Sequence, residues 1–251
     1  MTLPEPGPPQ KKTLKRAKLL TRPTKPGSSL DRMTLLAHQL KAPLSVISAL
    51  AQSLARRGHR MPSDDVRERA KKIWLASRRL DELIGTIMNF TRANAGGIVL
   101  HRTLFDIKAV LHRISREHEQ LSGFRRCKLD IDVLPDRLSG DAVLIEQALG
   151  IVLANALRYS PEDRHVVVTG SVCEKAIAVT IADEGIGIPA SDLPFISQPF
   201  FRAANTKHVP GTGLGLSLAR HIVSLHSGKL LIESEEGRGT VVRIKLPREP
   251  D

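Results

Sequence analysis

The sequence predicts an α+β protein in two parts, a long antiparallel helical hairpin followed by an α/β sandwich. Three observations carry that prediction. Apolar residues recur at steps of three and four through two adjacent stretches between residues 29 and 94. Beyond residue 99 the pattern changes to shorter helical and alternating runs, mixed without regular β-α-β alternation, which argues against a doubly wound sheet. Two glycine-rich stretches then punctuate the C-terminal half, Asp183-Glu184-Gly185-Ile186-Gly187-Ile188-Pro189 and Gly211-Thr212-Gly213-Leu214-Gly215-Leu216. The expected division is a flexible, basic, Pro-rich tail over 1–28, the hairpin over 29–95 and the sandwich over 99–248.

The first helix is expected from Ser29, with Ser28, Ser29 or Asp31 as its cap. Its stripe is Leu36, Leu40, Leu44, Ile47, Leu50 and Leu54. Gly58 to Pro62 breaks the pattern, and Ser63 or Asp64 caps a second helix. There Val66, Ala70, Ile73, Ser77, Leu80, Ile84 and Ile87 form a heptad seam interrupted only by polar Ser77. A lone hairpin has little against which to bury such a stripe. Pairing two copies as a four-helix bundle solves this, so a homodimer is expected. Further on, residues 107–121 and 141–158 read as helices and 128–133 as a strand. Residues 165–172 and 175–182 read as two strands across a tight turn, 213–227 as a helix, and 229–235 with 240–246 as a closing hairpin.

Composition bounds the function. With 41% hydrophobic and 25% charged residues, 251 residues suffice for a buried core. The formal charge of +12 invites nucleic acid or an acidic membrane as partner, but much of the excess sits in the tail and along helical faces, where it reads as solvated. Aromatics at 3% speak against a base-stacking platform, so a nucleic-acid partner is not expected. Cys127 and Cys173 fit no metal pattern, and a reduced, cytoplasmic chain is the default. No apolar run approaches the roughly 18 residues of a membrane helix, so no transmembrane segment is expected.

Four places carry chemistry. His38 lies two positions from both Leu36 and Leu40, opposite that stripe, and so faces solvent, where an imidazole can attack phosphorus. Lys41, one turn on, shares its face and can steady phosphate charge, while Pro43 removes a helical hydrogen bond and is expected to bend the helix. Taken alone, His38 is one of nine histidines and reads first as an ordinary surface residue. Asn155 is mildly unfavourable inside a helix; its carboxamide oxygen can ligate Mg²⁺ beside phosphates, and Arg158 shares its face. Its plain alternative is a solvated polar side chain. Asp183 ends a strand beside a glycine turn, where a carboxylate can accept from an adenine amino group or simply shape the turn. The segment between the glycine stretches, with Phe200, Phe201 and Arg202, reads as a lid that excludes water from phosphates. No Walker A pattern occurs, which argues against a P-loop enzyme.

In order, the chain shows His38-Gln39-Leu40-Lys41-Ala42-Pro43, Asn155-Ala156-Leu157-Arg158-Tyr159-Ser160-Pro161, Asp183-x-Gly185-x-Gly187, Pro199-Phe200-Phe201-Arg202 and Gly211-Thr212-Gly213-Leu214-Gly215-Leu216. Over about residues 30–247 this resembles a two-component sensor histidine kinase. The resemblance implies a dimerising phosphoacceptor hairpin and an ATP-binding domain of the GHKL (Bergerat) fold, using ATP and Mg²⁺. By it, His38 accepts the terminal phosphoryl group and passes it to an aspartate of a response regulator receiver domain, with Gln39 and Lys41 beside it. Asn155 holds Mg²⁺, Asp183 binds adenine, and Gly185, Gly187, Gly211, Gly213 and Gly215 shape the pocket and lid. Arg158, Tyr159, Arg202, Thr212 and Leu214 join the ATP site through the same motifs.

Three departures qualify the resemblance. Gln39 stands where many members carry an acid; it can orient the imidazole but is no base near neutral pH. Ala42 offers neither hydroxyl nor amide where the family often has Thr or Asn, so weak phosphatase activity is expected. Ile151 stands where the family often has a polar residue, so reduced ATP affinity or turnover is expected. The alternatives are a pseudokinase or histidine phosphotransferase with weak ATP turnover, another GHKL ATPase, and a non-specific DNA binder. No sensor domain is recognisable before the hairpin, so the stimulus is expected through an upstream sensor protein or the basic tail.

Overall fold

Helix α1 (Ser29–Arg57) and helix α2 (Ser63–Asn94) form the hairpin, joined by a 3-10 turn at Gly58–Arg60. The structure, a computed structural model, describes residues 29–94, 98–122, 126–206, 208–209 and 211–248. The tail over 1–28, including Ser28, lies outside the described residues. At the turn the Met61 N–H closes on the Gly58 carbonyl at 3.2 Å, and the Val66 N–H on the Pro62 carbonyl at 3.1 Å. The helices pack along one another, and Arg69 Nη1 donates to Ser53 Oγ at 3.2 Å across the seam. Pro43 sits inside α1, which runs on past it, and is buried. Part of the apolar surface stays uncovered in the single chain: Leu44, Val46, Trp74, Ile84 and Met88 are each about half exposed.

The second part begins with β1 (Thr103–Phe105), α3 (Ile107–Ser122), β2 (Cys127–Asp130), β3 (Leu138–Gly140) and α4 (Ala142–Tyr159). It continues with β4 (Val166–Cys173), β5 (Ala176–Asp183), α5 (Gly215–Leu225), β6 (Lys229–Glu235) and β7 (Gly239–Pro247). Five strands form one sheet in the order β2-β4-β5-β7-β6, in which only β2 and β4 run parallel. Alternate residues point inward, as a half-buried sheet demands, so Val179 opposite Ile244 and Ile181 opposite Val242 face the core. Helices α3, α4 and α5 cover that face with Leu111, Leu149, Leu153, Leu218 and Ile222, all under 2% exposed.

Three features differ from the sequence reading. β1 and β3 pair as a separate antiparallel ribbon of three residues a side, too short to show alternation. The strand expected over 128–133 ends at Asp130, because the chain turns inward and the Leu134 N–H bonds the Ile131 carbonyl at 3.0 Å. The C-terminal helix starts at Gly215 rather than 213, since Gly213 has φ +71° and cannot belong to a right-handed helix.

Helix α4 positions the site. Asp141 caps it, accepting from the Leu144 N–H at 3.2 Å. It buries Ile145, Ala148, Leu149, Val152, Leu153 and Ala156 and turns Ile151 and Asn155, one turn apart, to its other side. By length and apolar content α4 passes for a membrane span, but here it is the core helix of the sandwich. Its C-terminus is held by Arg126, whose guanidinium donates to the carbonyls of Leu157 (3.1 Å), Ser160 (3.2 Å), Pro161 (2.6 Å) and Arg164 (3.3 Å).

Candidate functional site: a nucleotide-sized cleft beside an exposed histidine

A cleft of about 480 Å³ opens between α4, the end of β5, the 187–215 segment and the hairpin. That volume suits a small-molecule ligand. At one end lies Asp183. Its Oδ1 accepts from the Gly185 N–H at 2.8 Å and the Thr240 N–H at 3.2 Å, while Oδ2 takes no hydrogen bond from the described residues. Burial pushes this carboxyl above the ordinary range, outweighing the two N–H groups that favour the anion. Ile188, Ile232 and Val242 line the wall around it. An apolar slot with a fixed carboxylate oxygen at its edge fits a flat base that carries an amino group.

Thr240, not singled out from the sequence, lines the same end. Ser234 Oγ accepts from the Ile188 N–H at 2.9 Å and donates to the Gly239 carbonyl at 2.8 Å. The Thr240 hydroxyl, 2.9 Å away, therefore donates to Ser234 and keeps its lone pairs for the cleft. The only sequence signal was a hydroxyl residue opening the last strand, a signal too common to act on. Register finds it: Thr240 pairs with Asp183.

Asn155, Arg158 and Tyr159 of α4 also line the cleft, as do Gly187, Arg202, Gly211, Thr212, Gly213 and Gly215. Gly213 is irreplaceable locally: besides its positive φ, a Cβ there would lie 2.6 Å from the Phe201 carbonyl oxygen. Opposite it Phe200 adopts φ 67°, rare for a bulky residue, and its N–H bonds the Gly213 carbonyl at 2.9 Å. The loop is pinned elsewhere too. Asn205 Nδ2 donates to the Gly187 carbonyl at 3.0 Å, Asp192 Oδ2 accepts from the Ala204 N–H at 2.8 Å, and Phe195 packs on Phe201. Arg202, on the cleft wall, uses Nη2 to hold the carbonyls of Thr206 and Val209.

Gly185 and Leu214 are set back from the cleft. Gly185 lies against the Tyr159 carbonyl, which a Cβ would approach to 2.5 Å, and Leu214 is fully buried at the start of α5. Asn155 is the carboxamide that can offer an oxygen to Mg²⁺. Ile151 beside it packs on Gly215, where a Cβ would come within 3.1 Å of Ile151 Cγ2, and brings no ligand atom.

The hairpin closes the cleft. Gln39, half-buried, lines it together with Arg78 and Arg79. His38 is exposed, as its position opposite the apolar stripe required, and stands outside the lining residues; Lys41 is exposed with it. Neighbouring helical residues point about 100° apart, so His38 faces solvent a third of a turn from the cleft.

Such a cleft joined to a helical hairpin with a displayed imidazole defines a two-part phosphotransfer module. Residues 32–96 match the family described as His Kinase A (phospho-acceptor) domain, and residues 140–250 match histidine kinase-, DNA gyrase B-, and HSP90-like ATPase. The chain belongs to the two-component sensor histidine kinases. It is 27% identical over 224 residues to the sensor-like histidine kinase SenX3 of Mycolicibacterium smegmatis, covering 88% of this chain and 58% of that protein. It is 30% identical over 215 residues to the histidine protein kinase DivJ of Caulobacter vibrioides, covering 84% of this chain and 36% of that one. The chain thus spans only part of the length of these relatives. The solved histidine kinase ThkA, in complex with the response regulator TrrA, shares the fold with a TM-score of 0.60 and 21% identity, over 88% of this chain and 62% of that one.

Proposed function

We propose that this protein phosphorylates itself on His38 from ATP and passes the phosphoryl group to an aspartate of a response regulator. The observation that supports this most is that the residue following His38 helps to wall the cleft that holds Asn155 and Asp183. Acceptor hairpin and nucleotide site therefore share one boundary. Asp183 Oδ2 takes the adenine amino group, and the apolar slot takes the ring. Asn155 holds Mg²⁺, which neutralises phosphate charge when bound. A neutral nitrogen of His38 attacks the terminal phosphorus, the bond to the bridging oxygen breaks, and ADP leaves. Attack needs the reacting atoms about 3–3.5 Å apart. Since His38 points about 100° away from Gln39, the sandwich must turn about the hairpin before transfer.

The half-exposed Leu44, Trp74, Ile84 and Met88 favour a homodimer through the hairpin. A dimer mass by light scattering is expected, and a monomer would contradict it. The receiver partner is read from ThkA, solved with a response regulator. ATP supply and the free Cys127 and Cys173 suit a cytoplasmic setting. An upstream protein is the proposed source of the signal. Phosphotransfer profiling tests the function: after loading with labelled ATP, the protein should charge one or a few members of a panel of receiver domains. Loading without transfer to any receiver would leave only the autokinase half standing.

A further inference from the structure

Helix α2 forms part of the cleft wall. Arg78 and Arg79 of α2 line it. Helix α2 packs against α5, whose first residue, Gly215, lies against Ile151. The α2 wall therefore adjoins the helix that follows the glycine loop. Arg78 is half-buried, and its guanidinium carbon lies 5.6 Å from the ring centroid of Trp74, one turn earlier. A guanidinium carries five N–H donors, and a contact of this kind with a ring leaves donors available to a second partner. Arg78 makes no ion pair with a described carboxylate. Of the two acids on this part of the wall, Glu146 is engaged by Arg113 through paired bonds of 2.6 Å, and Glu117 is solvent-exposed. The same stretch lacks a polar group at 151, so fewer protein oxygens can hold a metal ion against the phosphates.

We propose that Arg78 binds the terminal phosphate of the nucleotide, so that the hairpin itself distinguishes the triphosphate from the diphosphate. This rests on the reading of the cleft as an ATP site. A planar guanidinium offers two parallel N–H groups to phosphate oxygens, a match that lysine lacks. A triphosphate then bridges sandwich and hairpin, while ADP reaches only the sandwich. The fixed positive charge takes up part of the neutralisation that Ile151 cannot support through a metal ligand.

The test is calorimetric titration of the full chain with AMP-PNP and with ADP, both with Mg²⁺. It uses the wild type, Arg78→Gln, Arg78→Lys and, as a control, Arg116→Gln on the exposed side of α3. Arg78→Gln should weaken AMP-PNP about tenfold, the loss of one charge-assisted contact, and leave ADP nearly unchanged. Arg78→Lys should recover part of the loss, and Arg116→Gln should match the wild type. A damaged fold would weaken both nucleotides together, and that result, or no change in either, overturns the role of Arg78. A wild type that binds neither nucleotide overturns the ATP reading itself, and this proposal with it.

Discussion

The backbone N–H of Thr240 donates to Asp183 Oδ1 at 3.2 Å, tying the end of β5 to the start of β7. Two fixed N–H groups thus hold one carboxylate oxygen and leave the other for a ligand. Asp183→Asn should keep the fold, because an amide oxygen can still take both N–H groups. It replaces the outward acceptor by a donor, so ADP affinity should fall at least about tenfold by calorimetry.

The pH dependence of that affinity has a definite sign. Burial raises the Asp183 pKa, so the folded protein takes up this proton at a higher pH than the unfolded chain does. The native state therefore gains stability from this group as pH falls, and bears the cost of the buried anion above the folded pKa. Binding needs the anion. ADP affinity should drop on acidification before an ordinary aspartate, with its pKa of about 3.9, would titrate. Titrations across the mildly acidic range, with Asp183→Asn giving the flat profile, check this.

Arg126 holds the end of the helix that carries Asn155 and Tyr159. Arg126→Ala should expose or orphan these carbonyls and lower stability by about 1–3 kcal/mol in urea unfolding. It should also weaken nucleotide binding, since Tyr159 lines the cleft.

His226 is only 2% exposed. Its Nε2 accepts from the Asp141 N–H at 2.9 Å, so Nδ1 carries the proton toward the Ile222 carbonyl at 2.8 Å. It staples the start of α4 to the end of α5. His226→Leu fills the space but strands a buried N–H, for a cost of about 1–3 kcal/mol, whereas His38→Ala on the exposed face should leave the unfolding midpoint almost unmoved.

Ala42 is exposed one turn beyond His38. Ala42→Thr adds a hydroxyl on that exposed surface. It should raise the rate at which the protein dephosphorylates a receiver domain that it can charge, measured by loss of label from the receiver. No change would count against a role for position 42 in dephosphorylation.

Much of this was legible in the sequence, for physical reasons. Helical spacing put His38 opposite Leu36 and Leu40, and glycine-specific geometry flagged the turns that hold Gly187 and Gly213, both at positive φ. The β4–β5 and β6–β7 hairpins showed by alternation and turn residues. Long-range relations were not legible. Thr240 matters because register sets it opposite Asp183, and Arg126 because folding brings it to carbonyls 31 to 38 residues away. Arg78 looked like one cation among many on a solvated helix until packing set α2 beside the cleft. The parallel pairing of β2 with β4 likewise follows from the chain path and leaves no local trace.

The most direct measurement is label transfer from γ-labelled ATP to the purified protein, wild type beside His38→Ala. The wild type should carry label that acid removes and alkali spares, as befits a phosphorus–nitrogen bond, and the variant should carry none. Label that survives acid, or that persists when the imidazole is gone, would contradict phosphoryl transfer to His38.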